Sequence, residues 1–147
     1  MVETPQHPFR YETELEVRSY ELDSFGHANH TVLLNYLEHA RFQALEEGGF
    51  TYQTLADRGW GVYVVRIEVD YLKEARLGDR LVVRTGAERP RRSSMVLVQE
   101  VVRRENRDEV VARARVTAVW VGEQRRPIRV PAEVQAAVGW GPEEDAP

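Results

Sequence analysis

The stretch Asp23-Ser24-Phe25-Gly26-His27-Ala28-Asn29-His30-Thr31-Val32-Leu33-Leu34-Asn35-Tyr36-Leu37-Glu38-His39-Ala40-Arg41 changes character partway along. Its first part carries the turn-formers Asp23, Ser24 and Gly26 and reads as the end of a loop running from Ser19 to Asn29. From His30 the apolar residues recur at helical spacing. Leu33, Tyr36, Leu37, Ala40 and Ala44, flanked by Leu34 and Leu45, make one broad stripe. The spacing predicts a helix over 30–47, capped by Asn29 or Thr31 and stopped by Gly48-Gly49.

On the N-terminal side, Tyr11 to Arg18 alternates strictly, with Tyr11, Thr13, Leu15 and Val17 on one face and three Glu and Arg18 on the other. That is the pattern of a half-buried antiparallel strand. On the C-terminal side, a short helix over 51–57 ends at Gly59, and strands follow over 62–72, 80–87, 95–102 and 110–121. Gly78-Asp79 and Asn106-Arg107-Asp108 are the turns between them, and 131–138 suits a last helical turn. One long helix against five antiparallel strands is an α+β arrangement. No repeat or linker divides the chain, so 1–147 reads as one domain with its core over about 11–135. Residues 1–9, with Pro5 and Pro8, are expected to drape over the surface, and 139–147 to fray. A five-stranded sheet under one helix leaves edges, and 110–121 is expected to be a long one. Twofold pairing of edges would remove that hazard.

Composition narrows the function classes. At 147 residues with 42% hydrophobic content, the chain is long enough to bury a core. It has no cysteine, which excludes a disulfide framework, a thiolate nucleophile and Cys-ligated zinc. A net charge of −4 argues against general nucleic-acid binding. No apolar run approaches the ~18 residues of a membrane span, and the first residues show no secretory signal, so a cytoplasmic protein is expected. Of the 20 basic residues all but Lys73 are Arg. A biased genome explains that total; phosphate recognition by Arg forks would have to be argued from position.

The spacing Asp23-x-x-Gly26-His27-x-Asn29, followed by Tyr36-Leu37-x-x-x-Arg41, resembles the signature of the 4-hydroxybenzoyl-CoA thioesterase-like family, which includes small bacterial acyl-CoA thioesterases associated with the Tol–Pal system. The later stretches 69–75, Leu77-Gly78-Asp79 and 127–131 are similar to further landmarks of that family in the same order, so the resemblance spans about 11–135. It implies a hotdog fold, in which a sheet of five antiparallel strands wraps a long central helix. It also implies a dimer with joined sheets, paired into tetramers in many relatives, and an active site at the subunit boundary. The substrate would be acyl-CoA, with CoA part of the substrate and no separate cofactor. Asp23 would attack or activate water, and the first helical amide, at about His30, would polarise the thioester carbonyl.

Chemistry makes those roles reasonable. A thiol leaves with a pKa near about 8.5, so no general acid is obligatory. A positioned carboxylate and an oxyanion site suffice, and the unpaired N–H groups and positive dipole of a helix N-terminus supply the second. Gly26 would let the backbone turn and approach a substrate. Each residue also has a plainer account. Asp23 in a Ser/Gly loop makes an Asx-turn, Asn29 a helix cap, and His27 and His30 packing or loop hydrogen bonds. Two His and one Asp are a weak metal signal, and no metal is expected. Glu38 is the rival acid, although its spacing to Arg41 suits a helix-surface or interface ion pair. Arg91, Arg92, Ser93 and Ser94 would suit CoA phosphates, or a solvated turn. Tyr63 and Val65 are candidates for an acyl pocket. Two other readings stay open: a hotdog hydratase or dehydratase using His27, and a non-catalytic acyl-CoA-binding module.

Overall fold

The computed structural model describes residues 9–141. The expectations for 1–8 and 142–147 lie outside the described residues. The elements are β1 (Tyr11–Glu16), a 3-10 turn (Ser19–Glu21), α1 (His30–Glu47), α2 (Tyr52–Arg58), β2 (Gly61–Tyr71), β3 (Arg80–Ala87), β4 (Ser94–Arg103), β5 (Val110–Val121) and α3 (Ala132–Ala137). The strands form one antiparallel sheet in the order β1-β3-β4-β5-β2. This is the α+β hotdog arrangement expected, with α1 held by the sheet.

The helix starts where its cap is. Asn29 Oδ1 accepts from the Val32 amide at 3.0 Å, and Gly48 ends the helix with its N–H on Ala44 O. Leu33, Tyr36, Leu37 and Ala40 are buried against Leu81, Val83, Val101, Ala112, Ala114 and Val116. Each fully buried Leu or Val contributes about 1.5–3 kcal/mol. A second apolar cluster, around Phe50, Met95, Trp120, Val130 and Val134, closes the other end under α3. Trp140 is docked rather than frayed, its Nε1 donating to Ala87 O at 3.0 Å.

Two expectations are corrected. β5 is not an edge: β4 and β2 pair on either side of it, and the free edges are β1 and β2. Strand length gave no information about position in the sheet. Nor do Glu38 and Arg41 form an ion pair. Arg41 lies four residues after Leu37, on the buried face, and its Nη1 donates to Gln99 Oε1 at 3.1 Å. Gln99 is buried and also donates to Leu37 O and Thr85 Oγ1, tying helix to sheet. Burial lowers the Arg41 pKa and the nearby Glu38 charge opposes that fall. Glu38 itself points to solvent.

Candidate active site

The loop before α1 is more ordered than its turn-forming composition suggests. After the 3-10 turn, Leu22 and Ala28 form an antiparallel bridge, and the Asp23 amide donates to His27 O at 2.9 Å. Residues 22–28 are thus a small hairpin with Asp23 where it turns. Gly26, at φ 81°, supplies the left-handed residue, and open space surrounds its missing side chain. The return arm is sewn to the chain before β3: Ala28 N–H donates to Ala75 O, and His27 bridges Arg76. It then runs directly into Asn29 and the first turn of α1.

Asp23 performs the turn role and leaves one oxygen over. Its Oδ1 accepts from the Phe25 amide at 2.9 Å and the His27 amide at 3.2 Å. Among the described residues nothing donates to Oδ2. The His27 amide, then that of Phe25, hold the carboxyl below the ordinary carboxylate range, and the His27 charge adds to this. Asp23 is therefore an ionised carboxylate with one oxygen fixed and the other presented. At the helix start, Asn29 Oδ1 satisfies the Val32 amide, while the His30 and Thr31 amides have no acceptor within the helix. The Asp23 carboxylate is tied to the His27 amide, and the extended span from His27 to His30 is at most ~10 Å, which bounds its distance from these amides.

Other candidates sort by position. His27 joins this group, but its Nε2 lies 3.1 Å from Glu74 Oε2. The His30 ring is exposed and meets Tyr71 edge-on, at 6.2 Å between centroids. Tyr71, which the sequence reading passed over, donates its hydroxyl to His30 O at 3.2 Å and so fixes the end of β2 to the first helical turn. The only available hint was its place in the 69–75 landmark. Glu38 sits eight residues along α1, roughly 12 Å from the free amides. No cluster of His, Cys, Asp or Glu among the described residues is arranged to hold a metal.

Tyr63 and Arg91-Arg92-Ser93-Ser94 are not brought to Asp23 within one chain. Tyr63 and Ser94 both pair with Val119 of β5, whereas Tyr71 pairs with Ala112. Along β2 that separation is roughly 26 Å. The backbone of 92–93 is occupied, with Arg92 O accepting from Val130 N and Ser93 O from Trp120 N. Tyr63 and Val65 are both exposed on the β2 edge. An apolar cavity of about 40 Å³ lies at this same end, between the last turns of α1, α3 and the sheet, with Val62, Met95 and Trp120 in its wall. It is remote from Asp23 and makes no part of the carboxylate site.

Comparison with known proteins agrees with the fold. Residues 17–138 match the model of the thioesterase-like superfamily. The chain is 32% identical over 133 residues to the chloroplastic acyl-acyl carrier protein thioesterase ATL2 of Arabidopsis thaliana, covering 88% of this chain and 68% of that protein. It thus spans about two thirds of the plant relative. To the long-chain acyl-CoA thioesterase FadM of Escherichia coli it is 32% identical over 110 residues, covering 75% of this chain and 82% of that protein. The solved structure of the PA2801 protein of Pseudomonas aeruginosa superimposes with a TM-score of 0.80 at 28% identity, over 90% of this chain and 100% of that one. The chain belongs to the thioesterase-like superfamily and is a thioester hydrolase of the hotdog fold.

Proposed function

We propose that the chain hydrolyses acyl-CoA to free acid and CoA, with Asp23 as nucleophile or general base and the His30 amide as oxyanion donor. The observation that carries this is the division of labour at Asp23: Oδ1 is held by two amides while Oδ2 is open, ahead of a helix start whose His30 and Thr31 amides have no acceptor within the helix. Such donors and the helix dipole favour negative charge on a carbonyl oxygen docked there. The resemblance to the Tol–Pal-associated branch belongs to the same proposal and rests on the Asp23-to-Asn29 spacing. So does a cytoplasmic location, where acyl-CoA is found. Among the described residues no helix is long and apolar enough to cross a membrane. The test is CoA release, read as free thiol, from short, long and aromatic acyl-CoAs, with acyl carrier protein thioesters alongside. No release from any of them would overturn the proposal. Water addition to an enoyl-CoA would favour a hydratase, and binding alone a non-catalytic module.

The acid limb of the rate profile gives a second check. Activity needs the ionised carboxylate, and the folded state holds Asp23 below its ordinary value. Rate should therefore persist as pH falls through about 4, the usual Asp pKa, and fail only below it. The same sign applies to stability: the contribution is present above the unfolded pKa and lost as pH falls through the folded one. A limb at or above the ordinary value, with circular dichroism showing the fold intact, would contradict it.

The proposal includes a homodimer formed by the β2 edges. β2 exposes Tyr63, Val64, Val65, Ile67 and Tyr71 along a strand edge, the feature that soluble sheets rarely leave open. Antiparallel pairing about a twofold axis would lay the Tyr63 end of one β2 beside the Tyr71 end of the other. That brings Tyr63 and the 91–94 turn of the partner towards Asp23, where they would meet the acyl chain and CoA phosphates. Val65→Lys, at a residue 62% exposed in the single chain, is expected to convert dimer to monomer in sedimentation velocity and to lower kcat/KM. An unchanged sedimentation coefficient would count against the β2 interface. Pairing of dimers into tetramers would show in the same measurement.

A further inference from the structure

We infer that Glu21, clamped between Arg18 and Tyr36, is the positioning residue that sets Asp23 against the start of α1. The inference rests on the Asp23 reading above. Glu21 lies two residues before Asp23, at the end of the 3-10 turn, and its side chain is only 10% exposed. Its carboxylate is saturated with donors. Oε1 accepts from the Arg18 amide at 2.9 Å, Arg18 Nε at 3.2 Å and the Tyr36 hydroxyl at 2.6 Å, and Oε2 accepts from Arg18 Nη2 at 2.8 Å. Burial opposes its ionisation, but the bonds from Arg18 and Tyr36 outweigh that and hold the carboxyl below its ordinary range.

The geometry explains why a charge is held here. Tyr36 is 2% exposed on the second turn of α1, and burial followed by the Glu21 bond pushes its hydroxyl pKa up, so it remains a donor. Its bond to Glu21 crosses from the helix to the chain entering the hairpin. The other attachments of the hairpin, through Ala28 to Ala75 and His27 to Arg76, fix its return arm. The arm that carries Asp23 has Leu22 in its bridge to Ala28, and Glu21 on the helix. Charge-assisted bonds are short and directional, which suits a contact that must define position. Arg18 completes it from the strand side, reaching Glu21 through both backbone and guanidinium.

Tyr36→Phe removes one oxygen and leaves the apolar packing in place. In steady-state assays with the best acyl-CoA, kcat is expected to fall ten- to hundredfold, the scale of a misplacement of about 1 Å, with KM within twofold of the parent. Glu21→Gln should fall likewise. Val134→Ala, in the remote second cluster, serves as a control whose melting temperature drops without change in kcat. In an Asp23→Asn background, Tyr36→Phe should cost nothing further, because the group it positions is gone. A Tyr36→Phe enzyme with parental kcat overturns the positioning role while Asp23→Asn remains inactive. An active Asp23→Asn enzyme overturns the Asp23 reading, and this inference with it.

Discussion

Asp23→Asn is expected to lower kcat for acyl-CoA hydrolysis by roughly 10²–10⁴-fold, the contribution of a positioned acid–base group, while the melting temperature stays near that of the parent. The two effects separate because the two carboxylate oxygens do different work. An Asn side chain keeps an acceptor for the Phe25 and His27 amides that bond Oδ1, so the hairpin keeps its shape. It loses the negative charge on Oδ2, and with it the ability to attack a carbonyl or take a proton from water. KM should move little, since the acyl and CoA contacts proposed lie elsewhere. Glu38→Gln is the comparison, expected to change kcat by less than about twofold, because its carboxylate is in solvent on α1. Near-parental hydrolysis by Asp23→Asn together with an inactive Glu38→Gln would reverse the assignment. Burst kinetics with quench-flow would then be used on the parent to ask whether an acyl-enzyme forms, which separates nucleophile from general base.

That prediction rests on features of unequal visibility in the sequence. The limits of α1 were readable because cap, stripe and stop are all local: Asn29, the Leu33–Ala40 repeat, and Gly48. β3 and β5 fell on their expected residues for the same reason, each starting just after a turn, at Gly78-Asp79 and Asn106–Asp108. Order in the sheet was not readable, since it depends on pairing between residues far apart in the chain, and β5 was misplaced at an edge. Asp23 is singled out by a spacing pattern, yet the split between its oxygens follows from backbone amides that no side-chain pattern records. Glu21 carried no signal at all; its importance comes from Tyr36, fifteen residues on, and only folding brings them together. Arg41 is instructive in the other direction. Its four-residue spacing from Leu37 places it on the buried face, and that burial overrides the i,i+3 charge spacing to Glu38.

Register also creates a feature on the outer face of the sheet that sets the second large effect: Glu100→Ala is expected to destabilise the fold by about 3 kcal/mol. Glu12, Arg84, Glu100, Arg113 and Asp70 are successive partners across β1, β3, β4, β5 and β2, so one row of alternating charge crosses the whole sheet. Glu100 stands at its centre, 5% exposed, with Arg113 Nε at 3.0 Å and Arg84 Nη1 at 3.7 Å. Truncation would leave two guanidinium groups facing each other without the carboxylate between them. Arg84 Nε already lacks a hydrogen-bond partner, so it has no alternative acceptor at that atom. Both Arg side chains are about a quarter exposed and keep some water, which places the cost at the lower end of the range for broken buried pairs. Glu12→Ala, at the solvated end of the row, should cost under about 1 kcal/mol. Urea unfolding of the two variants tests the contrast: equal losses would mean that the row is screened throughout, as at an ordinary surface. Added salt should weaken the Glu12 contribution more than that of Glu100, because ions reach only the exposed end.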